Sequence, residues 1–170
     1  MEQSDFLTTS AQIAVGLAGF TGVASVFGRD SSAVPHEVQS ERLRAMIEAA
    51  QVAVVFALVP LLLLDLNLAE DVLWRVACGL FLTGWTAVFV ITVRRGFKVL
   101  RNVGLKADRS WRAIVGVLGA MSFGSLFAGV VGLRPSNLYL LALLFQLVLC
   151  ALFFYRFFLS MHSGGSATRS

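Results

Sequence analysis

The sequence predicts an all-α fold: an integral membrane helical bundle of five transmembrane helices, with the N-terminus outside and the C-terminus inside. Three observations carry this. Hydrophobic residues make up 57% of the 170 and charged residues only 14%, where a soluble domain carries about a quarter charged. The apolar residues are gathered into long uncharged runs, and about 20 such residues match a hydrocarbon core of about 30 Å. The lysines and arginines lie between those runs and are distributed unequally, as in proteins that orient by positive charge. A net charge of +4 placed this way reads as membrane orientation and not as nucleic-acid binding.

Residues 6–28 form the first expected span, fenced by Asp5 and Arg29. One face is small (Ala11, Ala14, Ala18, Thr21, Gly22, Ser25) and is assigned to protein contact. Ile13, Phe20, Val23 and Phe27 oppose it and are assigned to lipid. The acidic start, with Glu2 and Asp5, does not suit a signal peptide, so this run is expected to remain. From Pro35, suited to a first helical position, the pattern turns helical and leads into the second span, residues 43–64. Pro60 lies inside it and frees a backbone carbonyl that neighbouring helices must satisfy. Asp65 to Asp71 is an acidic turn. The third span is residues 72–93, followed by the most basic segment, residues 94–112. The fourth is residues 113–133. A turn through Arg134, Pro135, Ser136 and Asn137 leads to the fifth, residues 138–159, and residues 163–170 read as a disordered Gly/Ser tail within a single domain.

This threading puts Arg29, Arg42, Arg44, Arg94, Arg95, Lys98, Arg101, Lys106, Arg109, Arg112, Arg156 and Arg169 on one side, twelve of the fourteen basic residues. Arg75 and Arg134 remain on the other. The basic side is assigned to the cytoplasm, with Arg94, Arg95, Lys98 and Arg101 reading anionic lipid headgroups. Trp74 and Tyr139 fall at the outer boundary, Trp111 and Tyr155 at the inner. Trp85 fits neither belt and calls for packing. Cys78 and Cys150 lie at depths differing by roughly 9 Å in different spans and read as small apolar residues.

The fourth span is crowded with small residues: Gly116, Gly119, Ala120, Gly124, Ala128, Gly129 and Gly132. Interior glycine costs about 1 kcal/mol in a helix in water, but in lipid small residues let backbones approach closely. At 100° per residue the small face changes sides halfway. Gly116, Gly119 and Ala120 oppose Ile114, Val117, Leu118 and Met121, whereas Ser125, Ala128, Gly129 and Gly132 oppose Phe123, Phe127 and Val130. The span is expected to be central and crossed by two others. With Ala14, Ala18 and Gly22 of the first span, these residues form the expected helix-packing set.

Glu48 is the foremost ionisable candidate, one turn inside the second span, with Gln51 following on the same face. An intramembrane carboxylate is costly unless it faces a cavity or a partner. It reads either as a cation-attracting inner mouth in an oligomer, or as an ion pair with Arg44 four residues earlier or with a base from 94–112. Arg75 has Asp71 four residues before it. Gln146, mid-span, reads as a bridge between helices or as part of a polar site. Neither His36 nor His162 has a companion at metal-ligand spacing. No metal, cofactor or catalytic residue is expected, and no enzymatic role.

Val15-Gly16-Leu17-Ala18-Gly19 echoes Val115-Gly116-Val117-Leu118-Gly119, either as an inverted repeat or through shared glycine-rich composition. Gly16-Leu17-Ala18-Gly19-Phe20, a polar loop, then Glu41-Arg42-Leu43-Arg44 leading to Leu58-Val59-Pro60-Leu61 resembles the small multi-span proteins of bacterial inner membranes. The resemblance covers roughly the first two spans and implies that location but no activity. Two functions remain. One is an oligomeric pore or transport-type protein for a small ion or solute, with Glu48 and Gln51, and Gln146 deeper, as its polar site. The other is a non-transporting scaffold or accessory subunit packed, through the small faces, against a larger membrane complex.

Overall fold

The structure, a computed structural model, describes residues 2–27, 36–64, 68–102 and 109–162. They form a helical bundle of five helices: α1 (Glu2–Phe27), α2 (His36–Leu64), α3 (Glu70–Asn102), α4 (Arg109–Val131) and α5 (Pro135–His162). Four of them hold segments long and apolar enough to cross a membrane, Val38–Leu64, Glu70–Val99, Ser110–Val131 and Pro135–Arg156. The tail from residue 163 lies outside the described residues.

Helix α5 is the hub. It packs against each of the other four helices, which follow one another around it in chain order, α1 on α2, α2 on α3, α3 on α4. Among the described residues α1 and α4 do not meet to close the arc. The exposed side of α5, with Leu141, Leu144, Val148, Ala151, Tyr155 and Phe158 at alternating spacings of three and four, therefore faces the gap between them. The expectation that the glycine-rich helix is central is corrected: α4 does contact two helices, α3 and α5, but from the rim. The reason is volume. Its small residues leave little side chain to fill a centre, whereas α5 offers Tyr139, Leu143 and Leu147 to its neighbours.

Pro60 sits within α2, buried, and cannot donate to the carbonyl of Phe56 four residues back. The hydroxyl of Tyr139, on α5 and fully buried, donates to that same carbonyl. Phe56, Phe81 and Tyr139 then pack ring on ring, with Phe56 and Phe81 stacked at 4.4 Å between centroids and Phe81 edge-on to Tyr139 at 5.4 Å. Gly84 makes room for this, since a Cβ there would stand 2.6 Å from the tip of the Phe56 ring. Trp74 joins the same core at 5.6 Å from Tyr139. Trp74 and Tyr139 are thus core residues and not members of an outer aromatic belt, because each ring finds aromatic partners across the helix interface.

Helix α3 runs about two turns past its expected end, so Arg94, Arg95, Lys98 and Arg101 are helical and not in a loop. Residues 94–102 hold no proline and their single glycine, Gly96, is carried within the helix, and Glu70 and Asp71 in its first turn complement the helix dipole at the other end. α4 starts earlier than expected and stops before Gly132. There the Gly132 amide donates to the Gly129 carbonyl at 3.0 Å and the Leu133 amide to the Ala128 carbonyl at 3.1 Å, the paired bonds of a Schellman stop. Gly132, at φ +102°, supplies the left-handed residue that this stop requires. It ends the helix and also leaves room for a neighbour, since a Cβ there would stand 2.5 Å from Arg75 Nη2. Pro135 opens α5 directly after Arg134, whose φ is 42° and whose carbonyl accepts from the Leu138 amide at 3.2 Å.

The buried face of α4 is one stripe, Gly119, Ser122, Ser125, Leu126 and Gly129. It does not change sides. Gly119 lies under the rings of Trp85 and Phe89, and a Cβ on Gly129 would come within 2.6 Å of the Cys78 sulfur. Ala128 is half-buried beside them. Gly116, Ala120 and Gly124 face outward, and a Cβ on Gly116 or Gly124 would meet nothing within 4 Å. On α1, Ala14 is fully buried as expected and Ile13 exposed, but Gly22 faces outward with nothing within 4 Å of an added Cβ. The side chain of Ala18 lies outside the described residues.

Tyr139→Phe is expected to lower unfolding stability in detergent micelles by about 1–3 kcal/mol, the cost of an orphaned buried carbonyl. In a Pro60→Ala background the residue-60 amide can take over that carbonyl, so the penalty of Tyr139→Phe should shrink markedly in a double-mutant cycle. Equal penalties in both backgrounds would show that the bond does not serve the proline.

Candidate functional site

Two polar constellations cross helix interfaces. The first is built on Glu48, at the basic end of α2. Its Oε1 accepts from Arg44 Nε at 3.0 Å, one turn back on the same helix, and from Arg95 Nη1 of α3 at 2.8 Å. Its Oε2 accepts from the Thr92 hydroxyl at 2.6 Å. Both local pairings open to Glu48 from sequence, with Arg44 and with a base of 94–112, are present together. Arg95, expected among the headgroup-reading residues, is turned onto the carboxylate. Arg94, Lys98 and Arg101 are exposed. Thr92 gives no signal by type, but it stands three residues before Arg95 on one face of α3, so whatever Arg95 reaches Thr92 can also reach.

The Glu48 side chain is 21% exposed, Arg95 39% and Arg44 59%. The carboxylate is thus the inner member of the cluster and the guanidinium groups its outer members, with N–H groups left over beyond those bound to Glu48. Gln51, one turn further along α2, is exposed, and its amide has no partner among the described residues. Two open hollows flank this turn. One, of about 340 Å³, lies over Ser40, Arg44, Ile47 and Gln51. The other, of about 430 Å³, is a groove between α2 and α3 that begins at Glu48 and Arg95 and runs past Val55 and Val88 to Gly84 and Phe56.

The second constellation is Gln146 of α5, 3% exposed. Its Oε1 accepts from Trp85 Nε1 of α3 at 2.8 Å, and its Nε2 donates to the Ala49 carbonyl of α2 at 3.1 Å. One amide thereby ties three helices, and Trp85, which fits no belt, is explained as the indole that closes this bridge and stacks on Phe89 at 4.9 Å. The structure does not bring Gln146 together with Gln51: the one is enclosed, the other faces out.

Other polar groups are accounted for locally. Thr83 and Thr86 return their hydroxyls to carbonyls of their own helix, as does Ser125. Ser122, 2% exposed, has a hydroxyl without a hydrogen-bond partner among the described residues. The Cys78 thiol donates to the Pro135 carbonyl at 3.6 Å, and Cys78 and Cys150 are both buried and free. Arg75 does not pair with Asp71. Its guanidinium lies beside Gly132, where a Cβ would stand 2.5 Å from Nη2, at the carbonyl end of α4 where a cation is favoured. Arg156 covers the Trp111 ring at 4.5 Å, and Trp111 meets Phe153 edge-on at 5.4 Å, joining α4 to α5 at the basic end. Among the described residues no group of three or more His, Cys, Asp or Glu could hold a metal ion. No protein-family model, curated protein or solved structure matches the chain.

Gln146→Leu strands the buried indole N–H of Trp85 and should cost about 1–3 kcal/mol of unfolding free energy in micelles. Adding Trp85→Phe removes the stranded donor and should recover part of that loss. A double variant no more stable than Gln146→Leu alone would mean that the bridge is not what holds α5 to α3.

Proposed function

We propose that the protein is a five-span integral protein of the bacterial cytoplasmic membrane, with its N-terminus outside and its C-terminus inside, that acts as a non-transporting scaffold or accessory subunit. The supporting observation is where the small residues go. Gly16 and Gly22 on α1 and Gly116 and Gly124 on α4 have nothing within 4 Å of an added Cβ, so the bundle's own packing does not require them. Small residues on outward faces allow another helix to approach closely. α1 and α4 are also the two helices that border the exposed side of α5. The polar groups buried inside are mostly spent on ties between helices, Glu48 on α3 and Gln146 on α2 and α3. The distribution of twelve of the fourteen lysines and arginines supports the orientation.

A second reading has its own support. Glu48 keeps a partly exposed edge and Gln51 an exposed amide beside it. Several copies arranged with these residues toward an axis would form a polar, cation-attracting mouth, the pore or transport reading.

The two readings part in one pair of measurements. On the scaffold reading, mild detergent recovers a stoichiometric larger partner, and liposomes holding the purified protein show no ion flux above empty vesicles, for the natural chain and for Glu48→Gln alike. Recovery of a homo-oligomer alone, with flux that Glu48→Gln changes, would overturn it in favour of the pore.

A further inference from the structure

The groove between α2 and α3 is graded along its length. At its basic end stands Arg95, bound to the carboxylate of Glu48, which also holds Arg44 of the adjoining hollow, and both arginines retain outward N–H groups. One turn deeper is the exposed, unpartnered amide of Gln51. Beyond it the walls are apolar, with Val52 and Val55 on α2, Val88 and Ile91 on α3, and a floor where the Phe56 ring closes over Gly84. From Arg95 to Gly84 the path along α3 is about 16 Å at 1.5 Å per residue, roughly half of a 30 Å hydrocarbon core. The groove is therefore one leaflet deep.

We infer that this groove binds an anionic phospholipid of the leaflet on the basic side. Its phosphate meets the free N–H groups of Arg44 and Arg95, its ester carbonyls accept from Gln51, and one acyl chain lies along the valine-lined walls to Gly84. Charge supports the sign of the headgroup. Arg94 and Lys98 are exposed on the same end of α3, and against these four cations stand Glu48 and, two turns earlier on α2, Glu41. Arginine suits phosphate because its planar fork can donate twice. Gln51 supplies the second argument. An amide facing hydrocarbon without a partner is costly, and an ester carbonyl at that depth removes the cost. Glu48 has a place in this arrangement as the group that holds both guanidinium groups at the mouth of the groove. The inference rests on the reading of α2 and α3 as membrane spans and is independent of whether the protein serves as scaffold or pore.

The test is native mass spectrometry of the delipidated full chain in detergent, titrated with phosphatidylglycerol or with phosphatidylcholine of the same acyl chains. The first phosphatidylglycerol should bind about tenfold more tightly than the first phosphatidylcholine, a difference of about 1.4 kcal/mol. Arg95→Gln should reduce that preference and Gln51→Leu should weaken both lipids alike, while Arg112→Gln, an equal charge loss at the exposed start of α4, should leave the preference intact. Val55→Trp, which fills the groove from an exposed position, should weaken both lipids, and an unchanged circular dichroism spectrum would show that it still folds. Equal affinity for the two lipids, indifference to Val55→Trp, or an Arg112→Gln effect as large as that of Arg95→Gln would overturn the site. So would glycerol phosphate competing as well as whole lipid, which would mark a phosphate site without a chain. A homo-oligomer that Val55→Trp dissociates would overturn it in favour of a second copy in the groove. Carbonate extraction tests the membrane reading separately: protein retained in the membrane pellet without lipid preference rejects the lipid site alone.

Discussion

The carbonyl of Phe56 is the point on which the bundle turns. Pro60 deprives it of its intrahelical partner, and in a water-free interior an unpaired carbonyl is costly. The hydroxyl that takes it comes from Tyr139 on α5, and for Tyr139 to reach it, α5 must lie against α2 at one height and one rotation. Those two settings carry the rest. With Tyr139 so placed, its ring closes on Phe81 and Trp74 of α3, and one turn of the chain before it Pro135 brings its carbonyl to Cys78. Seven residues further on, Gln146 reaches both Ala49 and Trp85.

The polar ties thus fall on three helices. α2 meets α5 at Phe56 and at Ala49, α3 meets α5 at Trp85, and α2 meets α3 at Glu48 and Arg95. Because each of these bonds has a fixed partner, the triad α2, α3 and α5 has its register specified, which dispersion between apolar faces does poorly when the surroundings are also apolar. α4 is held differently, by backbone proximity at Gly119 and Gly129 against the side chains of α3. At Gly129 that contact depends on the absence of a side chain and would not survive a Cβ without Cys78 moving, whereas at Gly119 a Cβ would reach ordinary contact at 3.4 Å.

Much of this was legible in the sequence, for reasons that are local. Five apolar runs give five helices, because hydrophobic run length and breakers are read one residue at a time. Pro60 announced a freed carbonyl, and Glu48 announced pairing with Arg44, since both rules concern residues four apart. What could not be read were relations between helices. Tyr139 is separated from Phe56 by 83 residues and Trp85 from Gln146 by 61, and no local pattern selects one tyrosine or one indole among the aromatics. The same limit misplaced α4. A glycine-rich run states how closely a neighbour can approach, not how many neighbours there are, and the centre went to the helix with side chains large enough to fill it. Gly132 was read only in part: counted with a packing stripe, it also ends the helix, which its place immediately before Leu133, Arg134 and Pro135 signals.

Two polar side chains stand out from the general satisfaction of the interior, and they mean different things. Ser122 is enclosed on α4, and its own carbonyl already accepts from the Ser125 hydroxyl. Nothing larger than its own hydroxyl has access to it, so its unmet capacity is a local cost with no route to a ligand. Gln51 is the opposite case. It is open to the surroundings, lies between the guanidinium groups at the basic end and an apolar groove, and has no partner among the described residues. On the membrane reading proposed above, a glutamine in that position is tolerable only if what surrounds the protein completes it. Since the interior ties on Glu48 and Gln146 are already made, the chemistry left unfinished in this bundle lies on its outside, along the α2–α3 groove.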